Sequence, residues 1–379
     1  MAQAETDPIR LLQRLIGFPS VVGQPNAPIA EFVAAEARSA GARVTILPGP
    51  EGDRVNLFAS IGPLDQPGYI LSGHMDVVPA AEPGWSSDPF QLRAEGGRLY
   101  GRGTSDMKSF LACALASLAR LAGQRLTRPL HLAFSYDEEA GCRGVPHLLK
   151  ELPNLCAPPI GCIVGEPSGL RGILAHKGKA AARVEVRGRA GHSSRPDLGR
   201  NAIHALAPVL AQVAAASAAL EAGPQDARFA PPYSTMQVGT IRGGEALNVI
   251  PSLCIMEVEA RAIASVSPRS LLAGIEASVE RLRAKGEEAN FTWLSEYPAL
   301  ALPAEAPLAR LVARLTGVAP LAAVSYGTEA GLYQQAGVET IICGPGDIAR
   351  AHRADEYIET AEIAGCMDLL AGIGAEISA

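Results

Sequence analysis

"LHLAFSYDEEAGCRG", residues 130–144, joins an apolar run to three consecutive carboxylates, Asp137, Glu138 and Glu139. Leu130–Tyr136 has the length and apolar continuity of a strand covered on both faces, as in a parallel sheet. A turn with glycine follows, and then a helical pattern from Cys142 to Glu151. Strand, polar turn and helix in that order make the unit of an α/β domain, which gathers its chemistry at the carboxyl ends of its strands. Three adjacent like charges repel one another. Either they lie in water as an ordinary turn, or they meet something positive.

The same rhythm extends to both sides. "ARVTIL", "VNLFASI", "GYILSG" and "IGCIVG" read as further strands, and 7–17, 28–40 and 107–121 as helices. From about Lys177 the order changes. "KAAARVEVRG", a helix over 201–220, "TMQVGTIRG", "NVIPSLCIMEVEARA", a helix over 268–285 and "NFTWLSEY" form a β-α-β-β-α-β series, the ferredoxin-like split motif. After Pro298 the first rhythm resumes, with "TIICG" as an inner strand. The expected architecture is an α/β domain with a mostly parallel sheet over 1–176 and 298–379. An α+β domain over 177–297 is inserted into it. A chain of 379 residues suits two cores better than one.

Bulk properties exclude several classes. A net charge of −6 and the absence of a basic stripe argue against nucleic-acid and anionic-membrane partners. Seven scattered cysteines without CxxC spacing suit free thiols in a reducing cytoplasm. No basic, apolar leader opens the chain, so a cytoplasmic location is expected. The apolar segment 202–220 carries His204, Pro208 and Gln212 and reads as a packed helix, not a membrane span. "GRGTS" lacks the GxGxxG spacing of a dinucleotide site.

Metal-ligand residue types recur at the strand ends. His74 and Asp76 follow "YILSG", Asp106 ends the "GRGTSD" turn, the acid triplet follows "LHLAFSY", Glu166 follows "IGCIVG", and His352 comes after "TIICGPG". Each has a plain structural alternative: a hydrogen-bonded histidine, a helix-capping aspartate, a turn glutamate, a surface histidine. Together, at one end of one sheet, they form a ligand set. Three carboxylates in one pocket need compensation, which two divalent ions and a bridging hydroxide supply. Imidazole mixed with carboxylate favours zinc or cobalt over magnesium. Asp76 is placed to steady the His74 ring. Of the neighbours Glu138 and Glu139, one can bind metal while the other acts as general base.

The segments "SGHMDVVP", "LYGRGTSDMK", "SYDEEAGCRG", "GEP" and "GRAGHSSRP" and a late histidine resemble, in order and over nearly the whole chain, the M20 metallopeptidases, the dinuclear zinc aminoacylase and carboxypeptidase superfamily. "YGTEAGLYQQAG" and "CGPGDIARAHRADEYIE" are similar to the acetylornithine deacetylases within it. The resemblance implies a zinc-peptidase-like catalytic domain with His74 and Glu166 on one metal, Glu139 and His352 on the other, and Asp106 bridging. It implies Glu138 as general base, Asp76 as orienting carboxylate and His192 as oxyanion donor. It further implies Asn248 and Arg261 on the substrate α-carboxylate, with Thr328 and Glu329 also in the substrate site and Glu329 facing an amino group. The inserted domain becomes a lid through which a homodimer forms. Serine at position 109, where many relatives have glycine, is a small departure.

The expected reaction is removal of acetyl from N2-acetyl-L-ornithine, a small N-acyl amino acid. The alternatives are another N-acyl amino acid hydrolase, such as a succinyl-diaminopimelate desuccinylase or a broad aminoacylase, and a non-catalytic metal-binding protein on the same scaffold.

Overall fold

The computed structural model describes residues 4–379. The chain divides into two compact units. The first comprises the chain up to Ala175, Ala301–Ala322 and Thr328–Ala379, and the second His176–Leu300 with Ala323–Gly327.

The first unit is built on a six-stranded sheet. Its order is Arg43–Pro48, Val55–Ile61, Leu130–Ser135, Tyr69–His74, Gly161–Pro167 and Thr340–Gly344. The last four run parallel, as the apolar runs predict. The first two are antiparallel to their neighbours. Arg43–Pro48 and Val55–Ile61 are joined by too few residues for the crossover that a parallel pair requires. Helix Lys108–Leu121 is buried along almost its whole length, with Phe110, Leu111, Leu115 and Leu118 in the core. Helices Pro8–Ile16 and Thr360–Ile377 pack against it and contribute to the same core. A small three-stranded sheet of Arg93–Glu95, Arg98–Tyr100 and Tyr357–Glu359 ties the segment after His352 back to the start of the "GRGTSD" turn. Its strands are three residues each, too short to announce themselves by periodicity.

The second unit is a four-stranded antiparallel sheet ordered Thr235–Gly243, Leu253–Ala262, Gly178–Arg187, Glu288–Tyr297. In chain order this is 2-3-1-4, the arrangement of the split β-α-β motif. Alternation sets the buried face. Ala180, Ala182, Val184 and Val186 point inward from one strand and Cys254, Met256, Val258 and Ala260 from the next. Helices Ala202–Leu220 and Pro268–Ala284 cover that face through Leu206, Val209, Val213, Leu272, Ile275 and Val279. Ala202–Leu220 has the length and hydropathy of a membrane span, and it buries one stripe of side chains on this sheet. The short segment 323–327, placed by sequence with the first domain, falls in the second unit, where Val324 bridges to His176.

Candidate metal centre

Six of the predicted metal and base residues converge in the first unit. His74 ends its strand and is buried. Its Nε2 lies 3.0 Å from Asp106 Oδ1 and 3.8 Å from Glu166 Oε1. His352 Nε2 lies 2.9 Å from Glu139 Oε1 and 3.4 Å from Asp106 Oδ2. The two oxygens of Asp106 therefore face two different histidines, one on each side. Asp106 does not cap the helix behind it: Met107 holds the cap position without a side-chain bond. Ligand atoms of His74, Asp106 and Glu139 fall within 4.8 Å of one another, and so do those of His74, Glu138 and Glu166.

The cluster concentrates carboxylates around two imidazoles, and its electrostatics follow from that crowding. Burial pushes Glu138 up to about 8, with Glu139, Glu329 and Asp76 adding to the effect against the pull of His74. Burial also raises Glu139 and, strongly, Glu166, and Asp106 pushes both in the same direction. Burial alone would lower His74, but Asp106, Asp76 and Glu166 outweigh it and hold it well above its ordinary value. Bonds to Asp106 and Glu139 raise His352 to about 10. Asp106 is lowered, because His352 and His74 outweigh its burial. Four carboxylates thus share two imidazoles, a set whose charge and donor types fit a pair of divalent ions.

Asp76 does more than steady an imidazole. His74 Nδ1 lies 2.9 Å from the Asp76 backbone carbonyl and 3.5 Å from its Oδ1. The carboxylate is instead engaged by the turn after its neighbouring strand: Oδ1 accepts the Glu138 amide at 3.1 Å and Oδ2 the Glu139 amide at 3.2 Å. Asp137, unassigned by sequence, has a left-handed φ of 50° and is buried. Its Oδ1 accepts the Gly23 amide at 2.7 Å and its Oδ2 the guanidinium of Arg54.

Thr328 and Glu329 also belong to the first unit. Thr328 Oγ1 accepts the Ala330 amide, a local bond that starts the next helix. Glu329 holds the cap position of that helix. It is 1 % exposed, and the Ser72 and Ser135 hydroxyls donate to its two oxygens at 2.5 and 2.7 Å. Each oxygen keeps a second lone pair beyond its serine bond.

His192, Asn248 and Arg261 lie in the second unit. His192 is exposed, and the Ser194 amide donates to its Nδ1 at 3.2 Å. That bond assigns the proton to Nε2 and makes this nitrogen a hydrogen-bond donor. The Asn248 carbonyl accepts the Ser193 amide, so the two loops adjoin. Arg261 is forked by Glu259, at 2.8 and 3.3 Å, and donates to the Tyr297 hydroxyl at 3.2 Å.

Residues 70–375 match the model of peptidase family M20/M25/M40. The chain belongs to this family. As an M20 protein it is a metal-dependent amidohydrolase, and its relatives cover nearly all of it. Acetylornithine deacetylase of Myxococcus xanthus is 34% identical over 368 residues, 95% of this chain and 94% of its own. That of Erwinia tasmaniensis is 32% identical, covering 96% of each. An M20 family metallo-carboxypeptidase from Sulfolobus solfataricus superposes with a TM-score of 0.79 at 16% identity, covering 98% of this chain and 99% of its own. A Bacillus subtilis dinuclear metal binding peptidase of the M20 family does so at 0.64 and 15% identity, covering 97% of each. The seven cysteines of this M20 chain are free.

Proposed function

We propose that the chain hydrolyses N2-acetyl-L-ornithine to L-ornithine and acetate, using two divalent ions. The observation that carries the two-ion part is Asp106, whose oxygens face His74 and His352 at 3.0 and 3.4 Å. His74 and Glu166 would hold one ion, Glu139 and His352 the other, and Asp106 both. The imidazole and carboxylate donors favour zinc, with cobalt a workable substitute. When bound, the ions supply Lewis acidity toward the acyl carbonyl and the attacking water.

The chain's own groups move the proton. Glu138, beside the proposed ligands and not itself one of them, is placed to take a proton from water and return it to the leaving amine. Asp76 fixes the backbone from which Glu138 projects. His192 offers Nε2–H to the carbonyl oxygen as negative charge develops there. Asn248 and Arg261 hold the α-carboxylate, Arg261 through the N–H groups not taken by Glu259 and Tyr297.

The acetylornithine choice rests on the relatives' names and on the C-terminal motifs. The homodimer and the cytoplasmic location belong to the same reading. The outer strand Thr235–Gly243 has a free edge, and Leu247, Ile241 and Ile203 stand exposed beside it. A kinetic panel of acetylornithine, succinyl-diaminopimelate and acetylmethionine on zinc- or cobalt-loaded protein tests the substrate. Preference for the succinylated compound overturns it.

A further inference from the structure

We propose that Glu356, clamped by Arg102, is a positioning residue that fixes the metal ligands Asp106 and His352 relative to one another. It rests on the assignment of those two residues to the metal pair.

Glu356 and Arg102 are each 1 % exposed. One carboxylate oxygen of Glu356 accepts two successive amides, Ser105 at 2.8 Å and Asp106 at 3.1 Å. The other accepts Arg102 Nη1 at 2.8 Å. The Glu356 carbonyl accepts the Gly101 amide at 2.9 Å. One residue thus holds both ends of the 101–106 turn, and it sits four positions after His352 on the segment that delivers that imidazole. Arg102 is itself pinned: Nη1 also reaches the Arg353 carbonyl at 3.4 Å, Nη2 reaches the Pro79 carbonyl at 3.3 Å, and Glu82 pairs with it.

The arrangement repeats that of Asp76, which accepts the amides of Glu138 and Glu139. In each case a buried carboxylate takes two consecutive amides at the point where a ligand or base side chain leaves the backbone. Each carboxylate comes from a segment that carries a different ligand. Such partners commonly govern metal affinity by ten- to a hundredfold. A carboxylate this close to the cluster would add to its negative charge, and Arg102, shared with Glu82, offsets part of it.

Zinc titration of the metal-depleted full-length protein by calorimetry tests this, beside circular dichroism and steady-state kinetics. Wild type is expected to bind two zinc ions. Glu356→Gln, which leaves Arg102 paired with Glu82 alone, is expected to stay folded, weaken zinc at least tenfold at the site served by His352, and lower kcat with KM held within about twofold. Should that variant unfold, the pair Glu356→Leu with Arg102→Met removes both charges together, a change that buried ion pairs commonly survive. The same loss of zinc affinity is expected there. A folded variant of either kind with a wild-type zinc isotherm overturns the positioning role, even if its melting temperature falls. Wild type binding fewer than two zinc ions overturns the metal reading itself, and this inference with it.

Discussion

Asp137 and Arg54 form an ion pair behind the Glu138–Glu139 turn, with side-chain exposures of 2 % and 14 %. The pair anchors the turn that carries Glu138 and Glu139 to the strand that Arg54 precedes. Arg54→Ala leaves a buried carboxylate without its cation, which costs about 3 kcal/mol in urea unfolding. Turnover falls as well, because the turn carrying Glu138 loses an anchor. A variant with wild-type stability would show that the pair carries no weight.

Glu138→Gln keeps the shape of the base and removes its proton acceptor. Metal content by elemental analysis should stay at the wild-type level while kcat drops by roughly 10²–10⁴. An active variant would exclude Glu138 as the base.

Asp106→Asn addresses the group that faces both histidines. A carboxamide offers one good oxygen in place of two, so at most one metal equivalent should survive dialysis. Retention of two equivalents would exclude bridging.

Away from the cluster, His131 makes stability depend on pH. It is fully buried, its Nδ1 is 2.8 Å from Ser60 Oγ, and burial lowers its pKa to about 4 from 6.5. As pH falls from 6.5 towards 4, the unfolded chain takes up a proton that the folded chain refuses, so stability is lost over that window. The contribution is roughly 3 kcal/mol and levels off below about pH 4. His131→Asn should flatten this part of the profile in chemical unfolding at stepped pH. An unchanged slope would assign the acid sensitivity elsewhere.

Gly165 precedes Glu166 and lies against the Phe110 ring, where an added Cβ would come within 2.0 Å of ring carbon. Gly165→Ala therefore forces the buried helix and the strand end apart. A loss of about 2 kcal/mol in stability is expected, together with weaker metal binding through Glu166. A stable variant with wild-type metal affinity would show that Phe110 can turn aside.

That the proposed ligands gather in one cluster was legible because each stands where an apolar run gives way to a polar turn, a local signal repeated at His74, Glu139 and Glu166. The positions of Asp137 and Glu356 were not, because Arg54 and Ser105 lie 83 and 251 residues away in sequence. Nothing local distinguishes a carboxylate that will accept distant amides from one that faces solvent. The bonds that Ser72 and Ser135 make to Glu329 were equally hidden, because they arise only when two strands are brought side by side. The antiparallel edge of the sheet was hidden because strand direction follows from connection length, not from side-chain pattern.

The strands Gly161–Pro167 and Thr340–Gly344 are neighbours in one sheet, although about 170 residues separate them along the chain. Pairing them early would mean closing a very large loop. The second unit removes most of that obstacle. Its first and last stretches meet, with a Cβ at Gly178 falling 2.7 Å from the Ala299 nitrogen. Once that unit has folded, it acts as a short splice, and the loop left to close is about a third as long. By chain statistics this saves roughly 1 kcal/mol at the folding barrier. The insertion thus lowers the loop cost of pairing the sheet's last strand, which leads into the segment bearing His352.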